Sequence, residues 1–172
     1  MVYGCKKKDV GPVYGEVSTF YANGRLTPRE GFDLTIRAVT DKVKCMESYY
    51  AFILTHNAKN DSLREEIHIY GLSFNKTGKI PLTYRFPDNS CDSIPTASFS
   101  MTGSDGDVTI AYYLVSKKSA SYINIDSYEI NTKEVKGTFD ITFVADGTSA
   151  RTRAIYPDTI RFTGAKFTTR IN

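Results

Sequence analysis

Apolar side chains recur at every second position in many short stretches of the chain, which is the period of a β-strand with one buried face. The pattern is clearest at residues 135–143, where polar residues separate the members of a regular apolar series. Turn-forming residues at 131–134 and 145–147 delimit this strand. We therefore predict a half-buried strand with Phe139 and Ile141 in the core. The inward series is Val135, Gly137, Phe139, Ile141 and Phe143.

Comparable strands are predicted along the rest of the chain, about ten in all, at the spacing typical of antiparallel sandwiches and barrels. Asn23-Gly24 is the strongest hairpin signal, and the pattern of residues 63–66 allows a helical start. No helical stretch is long enough to connect parallel strands, which excludes an α/β fold. The sequence predicts an all-β, single-domain antiparallel β-sandwich, with a flattened, lipocalin-like β-barrel as the alternative. The other predicted strands lie at 16–22, 32–38, 49–54, 67–71, 82–86, 97–101, 108–114, 123–125 and 160–162.

Length and composition are those of one ordinary globular domain. A chain of 172 residues can bury a core of its own, and 41% of it is hydrophobic and 24% charged. No apolar run approaches the roughly 18 residues of a membrane-spanning helix. The formal net charge is only +3, and dense basic residues are confined to Lys6-Lys7-Lys8. Composition therefore gives no support for nucleic-acid binding.

Residues Val2-Tyr3-Gly4-Cys5 resemble a bacterial lipobox, in which an aliphatic residue and then a small residue precede the cysteine. In such signals the thiol carries a diacylglycerol, so Cys5 is the predicted lipidation site. Tyr3 departs from the small residue usual at its position, and the apolar segment that should precede the box is missing. We interpret the sequence as starting inside its own signal peptide. Residues 1–15 then comprise a signal-peptide remnant, the lipidation site and a tether, and residues 16–172 form the domain.

Four short segments carry a wider resemblance, and they cover the start and the last quarter of the chain with little between. They are Gly4-Cys5-Lys6-Lys7-Lys8-Asp9, Phe20-Tyr21-Ala22-Asn23-Gly24, Val135-Lys136-Gly137-Thr138-Phe139 and Phe162-Thr163-Gly164-Ala165-Lys166-Phe167. With these segments the chain resembles a group of uncharacterised lipoproteins of Gram-negative bacteria, described only as domains of unknown function. The resemblance implies a cellular location but no reaction. It predicts that the protein is an outer-membrane lipoprotein of the bacterial cell envelope, held to the membrane by its lipid.

The remaining cysteines are candidates for a disulfide cross-link, and the two histidines are candidates for metal ligands. Cys45 and Cys91 are an even pair in an exported protein, which predicts a disulfide worth about 3–4 kcal/mol on the chain-entropy model. Two separately buried thiols are the alternative, because the sequence does not fix their distance. His56 and His68 could lie opposite each other in a hairpin. Two imidazoles without a third ligand nevertheless make a poor metal site.

No set of residues marks a catalytic centre. The chain lacks a Gly-x-Ser-x-Gly nucleophile elbow, and no pair of carboxylates stands out among its acidic residues. Residues 103–107 are typical of a hairpin turn and lack the distal glutamate of a calcium loop. We therefore predict no catalytic residue, no metal and no cofactor, and we expect a protein that is not an enzyme.

Ligand contacts are predicted on the outward faces of the later strands. Arg151 and Arg153 share one strand face, and Arg161 is predicted to point outward as well. Such a basic strip could meet phosphate or carboxylate groups of envelope glycans. Tyr113 alternates with Tyr112 and Leu114, and we predict that it faces outward, where its ring could stack on a sugar. The plainer explanations are a sheet face kept charged against edge pairing and a second packed layer over the tyrosine.

Taken together, these patterns favour a lipid-anchored, non-enzymatic envelope protein that binds a glycan or protein partner or has a structural role. A barrel-type carrier of a small apolar ligand is the alternative, and a hydrolase is a weaker one. Cavity volume separates the first two, because a carrier needs an empty lumen whereas a sandwich core is filled.

Overall fold

The computed structural model consists of β-strands and their connections wherever it describes the chain. It describes residues 13–16, 20–22, 25–26, 33–39, 49–57, 63–73, 76–85, 94–103, 108–146 and 158–170, with side chains for 65–73, 76–85, 94–102, 108–146 and 158–169. Over these ranges no helix is long and apolar enough to cross a membrane. The strands are β1 (Val13–Glu16), β2 (Phe20–Ala22), β3 (Arg25–Leu26), β4 (Asp33–Val39), β5 (Tyr49–Asn57), β6 (Leu63–Ser73), β7 (Gly78–Pro81), β8 (Thr96–Gly103), β9 (Thr109–Val115), β10 (Tyr122–Glu129), β11 (Glu134–Ala145) and β12 (Thr159–Arg170).

All pairings between these strands are antiparallel. They follow the order β1-β4-β5-β6-β8-β9-β11-β12-β2-β3, while β10 pairs with β11 on one edge and with β7 on the other. The two ends of this path, β1 and β3, are not paired with each other among the described strands. The sheet is therefore open, and the predicted barrel alternative is not adopted.

The long strand β11 joins two layers because it exchanges one of its neighbours at mid-length. Its first part, from Glu134 to Asp140, pairs with β10, and its last residues, from Phe143 to Ala145, pair with β9. The ring centroid of Phe99 on β8 lies 5.8 Å from that of Phe162 on β12, although these strands are not paired. The sheet thus folds over on itself, and the predicted all-β antiparallel sandwich is confirmed.

Aromatic rings from both layers form the centre of the core. The inward series predicted for β11 is confirmed, because Phe139 and Phe143 are fully buried and Ile141 is 1% exposed. The ring of Phe162 lies 6.2 Å from that of Phe139 and 6.1 Å from that of Phe143, measured between centroids. These are the separations at which aromatic pairs attract beyond the simple burial of their area.

Gly137 is the one small member of the inward series, and its place is filled from the neighbouring strand. Gly137 is paired with Phe167 on β12, and the ring of Phe167 lies against its Cα. A Cβ at position 137 would come within 2.8 Å of that ring and within 2.1 Å of the carbonyl oxygen of Asn124. The glycine is thus required by the close approach of a ring and a neighbouring backbone.

Two glycines in the left-handed region shift which residues of a strand face the core. On β12 the inward residue Phe162 is followed by Ala165, because an extra residue is inserted opposite β11 where Gly164 has a φ of 60°. On β6 the inward residue Ile69 is followed by Leu72, beside Gly71 with a φ of 73°. A glycine of this kind is typical of one class of β-bulge. Each bulge returns the later apolar residues of its strand to the core.

The corner between β9 and β10 is fixed to the outer side of β11. The backbone N–H of Ser116 donates to the carbonyl oxygen of Thr142 at 2.8 Å, and the backbone N–H of Thr142 donates to the hydroxyl of Ser121 at 3.1 Å. The carbonyl oxygen of Ser121 also accepts from the N–H of Leu82 at 2.9 Å. Thr142 is consequently only 7% exposed, although it lies on the outward phase of its strand.

Three elements differ from the predicted pattern. β1 begins at Val13, inside the segment 1–15 that was assigned to the remnant and tether, and it pairs with β4. Residues 63–66 are the first part of β6, so the predicted helical start is wrong; pairing with β5 and β8 on both edges determines the strand. The strand predicted at 82–86 is displaced, because β7 ends at Pro81 and Thr83 forms an isolated parallel bridge with Thr96.

Candidate ligand-binding face

The outward side of four strands, β7, β10, β11 and β12, carries a group of polar side chains that we call the polar face. Its members alternate with residues of the core, such as Ile80, Ile123 and Phe139, and so point away from it. All of them are exposed or half-buried, so that a ligand in solvent can reach them. The polar face comprises Lys79, Tyr122, Asn124, Thr138, Asp140, Arg161 and Lys166.

One row of the polar face crosses all four strands. The strand register pairs Lys79 with Asn124, Asn124 with Thr138, and Thr138 with Lys166. Neighbouring strands lie about 4.8 Å apart, so the outer two Cα positions are separated by about 14 Å. The two lysines are exposed, and the amide and hydroxyl between them are half-buried. The row presents a cation at each end and uncharged groups between them, of which the Asn124 amide already donates through Nδ2 to Oδ1 of Asp126, an exposed carboxylate on the same strand.

A second row of the polar face joins Tyr122 on β10 to Asp140 on β11. Hydrogen bonding to Asp140, its partner in the register, raises the pKa of the Tyr122 hydroxyl. Burial and the charge of Asp140 raise this pKa further, and the charge of Arg161 opposes the shift. The backbone N–H of Gly164, in the bulge of β12, also donates to Oδ1 of Asp140 at 3.3 Å. The carboxylate is thereby held in place by both neighbouring strands.

Cations on and beside the polar face differ in whether a described acidic group neutralises them. Lys136, an exposed lysine on β11 next to the polar face, pairs with Glu134, with Nζ and Oε1 2.8 Å apart. Nζ of Lys79 instead lies 3.5 Å from the ring centroid of Tyr122. In the part of the chain with described side chains, no carboxylate forms an ion pair with Lys79 or Lys166. None of the described carboxylates therefore competes with an anionic ligand for these two ammonium groups.

Of the four residues predicted to contact a ligand, Arg161 has the predicted exposure and lies on the polar face. The prediction for Tyr113 is wrong: it is 1% exposed, and its ring centroid lies 5.6 Å from that of Phe99. The inward residues of β9 are Ala111, Tyr113 and Val115. The alternation does not determine the facing of this strand, because apolar residues occupy both of its phases, and Leu114 on the other phase is buried as well.

The other predicted sites lie outside the described residues. These sites are the lipidation site Cys5, the disulfide candidates Cys45 and Cys91, and the ligand candidates Arg151 and Arg153. The lipid anchor, the cross-link and the larger part of the basic strip therefore remain predictions from the sequence.

The predicted hairpin that carries both histidines is present as β5 and β6, but it does not bring them together. The register pairs His68 with Ile53 and His56 with Glu65, so the two histidines lie three positions apart along the ladder. Nδ1 of His68 is 2.8 Å from the hydroxyl of Tyr70, and Nε2 is 3.1 Å from Oε2 of Glu66. No cluster of three or more metal-ligating side chains occurs in the ranges that the structure describes.

Sequence reasoning missed most of the polar face. Of its members only Arg161 is predicted from the sequence to contact a ligand, whereas Lys79, Tyr122 and Asn124 are not. The outward phase of Tyr122 and Asn124 can be read from the alternation around Ile123. The pairing of β7 with β10 has no local sequence signal, because the two strands are separated by β8 and β9.

Comparison with known proteins found no matching family model, no significantly similar curated protein and no significantly similar solved structure. The functional argument therefore depends on the polar face and on the sequence motifs.

Proposed function

We propose that this protein is a non-enzymatic binding module of the bacterial envelope, and that its polar face binds an acidic glycan. The observation that carries the proposal is the row from Lys79 to Lys166, in which two cations that form no ion pair with a described carboxylate flank Asn124 and Thr138. An extended ligand can cross this row without entering a cavity. Its carboxylates or phosphates would pair with the lysines, and its hydroxyl groups would bond to the amide and hydroxyl between them.

Tyr122 and Asp140 add a feature that suits a sugar better than a simple anion. A tyrosine phenol is protonated at neutral pH, and the shift of the Tyr122 pKa is upward, so Tyr122 presents a neutral aromatic surface beside Lys79. Asp140 can accept hydrogen bonds from sugar hydroxyl groups. Because it also repels nearby anions, it favours a ligand whose charges are spaced apart over one that is densely charged, such as a nucleic acid.

The hydrolase alternative has little support, because the sequence contains no Gly-x-Ser-x-Gly nucleophile elbow and no pair of carboxylates that stands out. For the carrier alternative there is equally little support, since the rings of Phe99, Phe139 and Phe162 pack against one another between the layers.

Lys79→Gln and Lys166→Gln are each expected to weaken binding of an acidic oligosaccharide by about fivefold to thirtyfold, the effect of losing one charged contact of about 1–2 kcal/mol. Lys76→Gln is the matched control, because it removes an exposed lysine just before β7 and should leave affinity unchanged. Calorimetric titration with an oligogalacturonate, and with its neutral methyl ester, measures the effect. Recognition of the ligand's charge would be refuted if the methyl ester bound as tightly as the acid. It would also be refuted if Lys76→Gln weakened binding as much as the other two substitutions.

Membrane attachment through Cys5 is a second part of the proposal, and it derives from the lipobox-like segment at residues 2–5. Expressed behind a lipoprotein signal peptide, the protein is expected to fractionate with membranes and to carry acyl mass on Cys5. Cys5→Ala should release it, and stable attachment implies more than one acyl chain because a single chain binds only marginally. Mass spectrometry of the membrane fraction decides the question. An unacylated wild type, with the Ala variant still in membranes, would contradict the anchor.

A further inference from the structure

Two lysine–tyrosine pairs, and not one, span the junction between the β7 segment and the β9–β10 corner. In the first, Nζ of Lys79 lies 3.5 Å from the ring centroid of Tyr122. In the second, Nζ of Lys117 lies 4.0 Å from the ring centroid of Tyr84. We call this junction, formed by residues 78–85 and 116–122, the seam. The lysine comes from the β7 segment in the first pair and from the corner in the second.

The backbone fixes both sides of the seam. Ile80 and Leu82 are buried in the core, and the N–H of Leu82 donates to the carbonyl oxygen of Ser121 at 2.9 Å. Pro81 is paired with Tyr122 in the register. The two lysine–tyrosine pairs are therefore attached to one anchored stretch of backbone.

The second pair has the properties of a contact for a charged sugar. Tyr84 is 37% exposed, and Lys117 lies among the exposed residues of the corner. Within the described side chains no carboxylate forms an ion pair with Lys117. Lys118, the next residue, is exposed too and adds positive charge. A cation beside an exposed ring suits a unit that has both a carboxylate and an apolar ring face.

We propose that Lys117 and Tyr84 form a second subsite, and that the ligand is an acidic oligosaccharide long enough to occupy both ends of the seam. This inference rests on the proposed function, because the first subsite is the Lys79 end of the polar face. Tyr84 follows Lys79 by five positions, and β7 ends between them at Pro81, so their Cα atoms are at most about 17 Å apart. An oligosaccharide of several units can cover that distance.

The test is the dependence of affinity on ligand length. Calorimetric titration uses oligogalacturonates from the monomer to the octamer, with the wild type, Lys117→Gln, Tyr84→Ser and, as a control, Lys133→Gln. Lys133 is an exposed lysine in the turn between β10 and β11, outside the seam. For the wild type and the control, affinity should rise at least tenfold once the oligogalacturonate is long enough to span both subsites, because its second contact is then intramolecular. Both seam variants should lose this rise and bind the shortest binding oligomers as the wild type does.

Each outcome separates this inference from the proposed function. If short oligomers bind in a Lys79-dependent manner but affinity does not rise with length, the second subsite is refuted and the polar face stands. If the seam variants keep the rise, or weaken short and long ligands equally, the second subsite is also refuted. If the wild type binds no acidic oligomer at any length, both proposals fail.

Discussion

Phe139→Ala is expected to lower the free energy of unfolding by about 3–5 kcal/mol, through lost burial and the cavity that remains. Phe139 is fully buried, and its ring contacts those of Phe162 and Phe167 at centroid distances of 6.2 and 6.5 Å. The cavity would open where the two layers face each other, with β10 and β12 paired on either side of β11. Such a loss is a large share of the roughly 5–15 kcal/mol that stabilises a whole domain. Denaturant-induced unfolding of the wild type and the variant measures this loss, with one shared slope for the dependence of the unfolding free energy on denaturant concentration.

Thr138→Ala is the matched control for this prediction. Thr138 is the neighbouring residue on the outward phase of the same strand and is half-buried on the polar face. Its loss should cost no more than about 0.5–1 kcal/mol, as is usual for surface positions. Equal losses for the two variants would mean that both sides of this part of β11 are buried. A small loss for Phe139 together with a large one for Thr138 would reverse the facing of the strand.

Thr142 shows where the alternation of β11 is an incomplete guide to burial. By phase it belongs with Thr138, and from the sequence the two would be equally tolerant of alanine. The β9–β10 corner covers it, however, and it is only 7% exposed. Ser116 and Ser121 bond to its backbone carbonyl and N–H, so the corner is fixed mainly through groups that alanine would keep. Alternation identifies the core phase, but not which outward residues a later loop will cover.

Different parts of the fold were predictable to different degrees, for physical reasons. The core series of β11 could be predicted because the strand has one apolar phase and turn residues at both ends. The β9 prediction failed because both phases of that strand are apolar, and only pairing decides between Tyr113 and Leu114. The polar face could not be predicted as a unit, since it depends on the register of strands that are distant in sequence. Long-range pairing of this kind has no local pattern.

The bulge in β6 shows how one backbone conformation determines which side chains reach the core. Ile67 and Ile69 face inward, and continuing their alternation would place Gly71 inward and Leu72 outward. The bulge beside Gly71 changes the phase, and Leu72 is fully buried instead. Gly71 has a φ of 73°, and a Cβ there would lie 2.9 Å from the carbonyl oxygen of Ile94. Both backbone conformation and space therefore require glycine.

Gly71→Ala is accordingly expected to cost about 2–5 kcal/mol, from about 1–2 for the left-handed conformation and about 1–3 for overpacking. Gly78→Ala is a matched control, because Gly78 has a φ of 95° but nothing lies within 4 Å of a Cβ built on it. It should cost only the conformational part, so the difference between the two variants isolates the contact with Ile94. Denaturant melts measure both. If both variants lose the same stability, the backbone at Ile94 shifts at no cost, and the approach of residues 94–95 does not constrain the bulge. If neither variant loses stability, Gly71 and Gly78 do not adopt the left-handed backbone conformation.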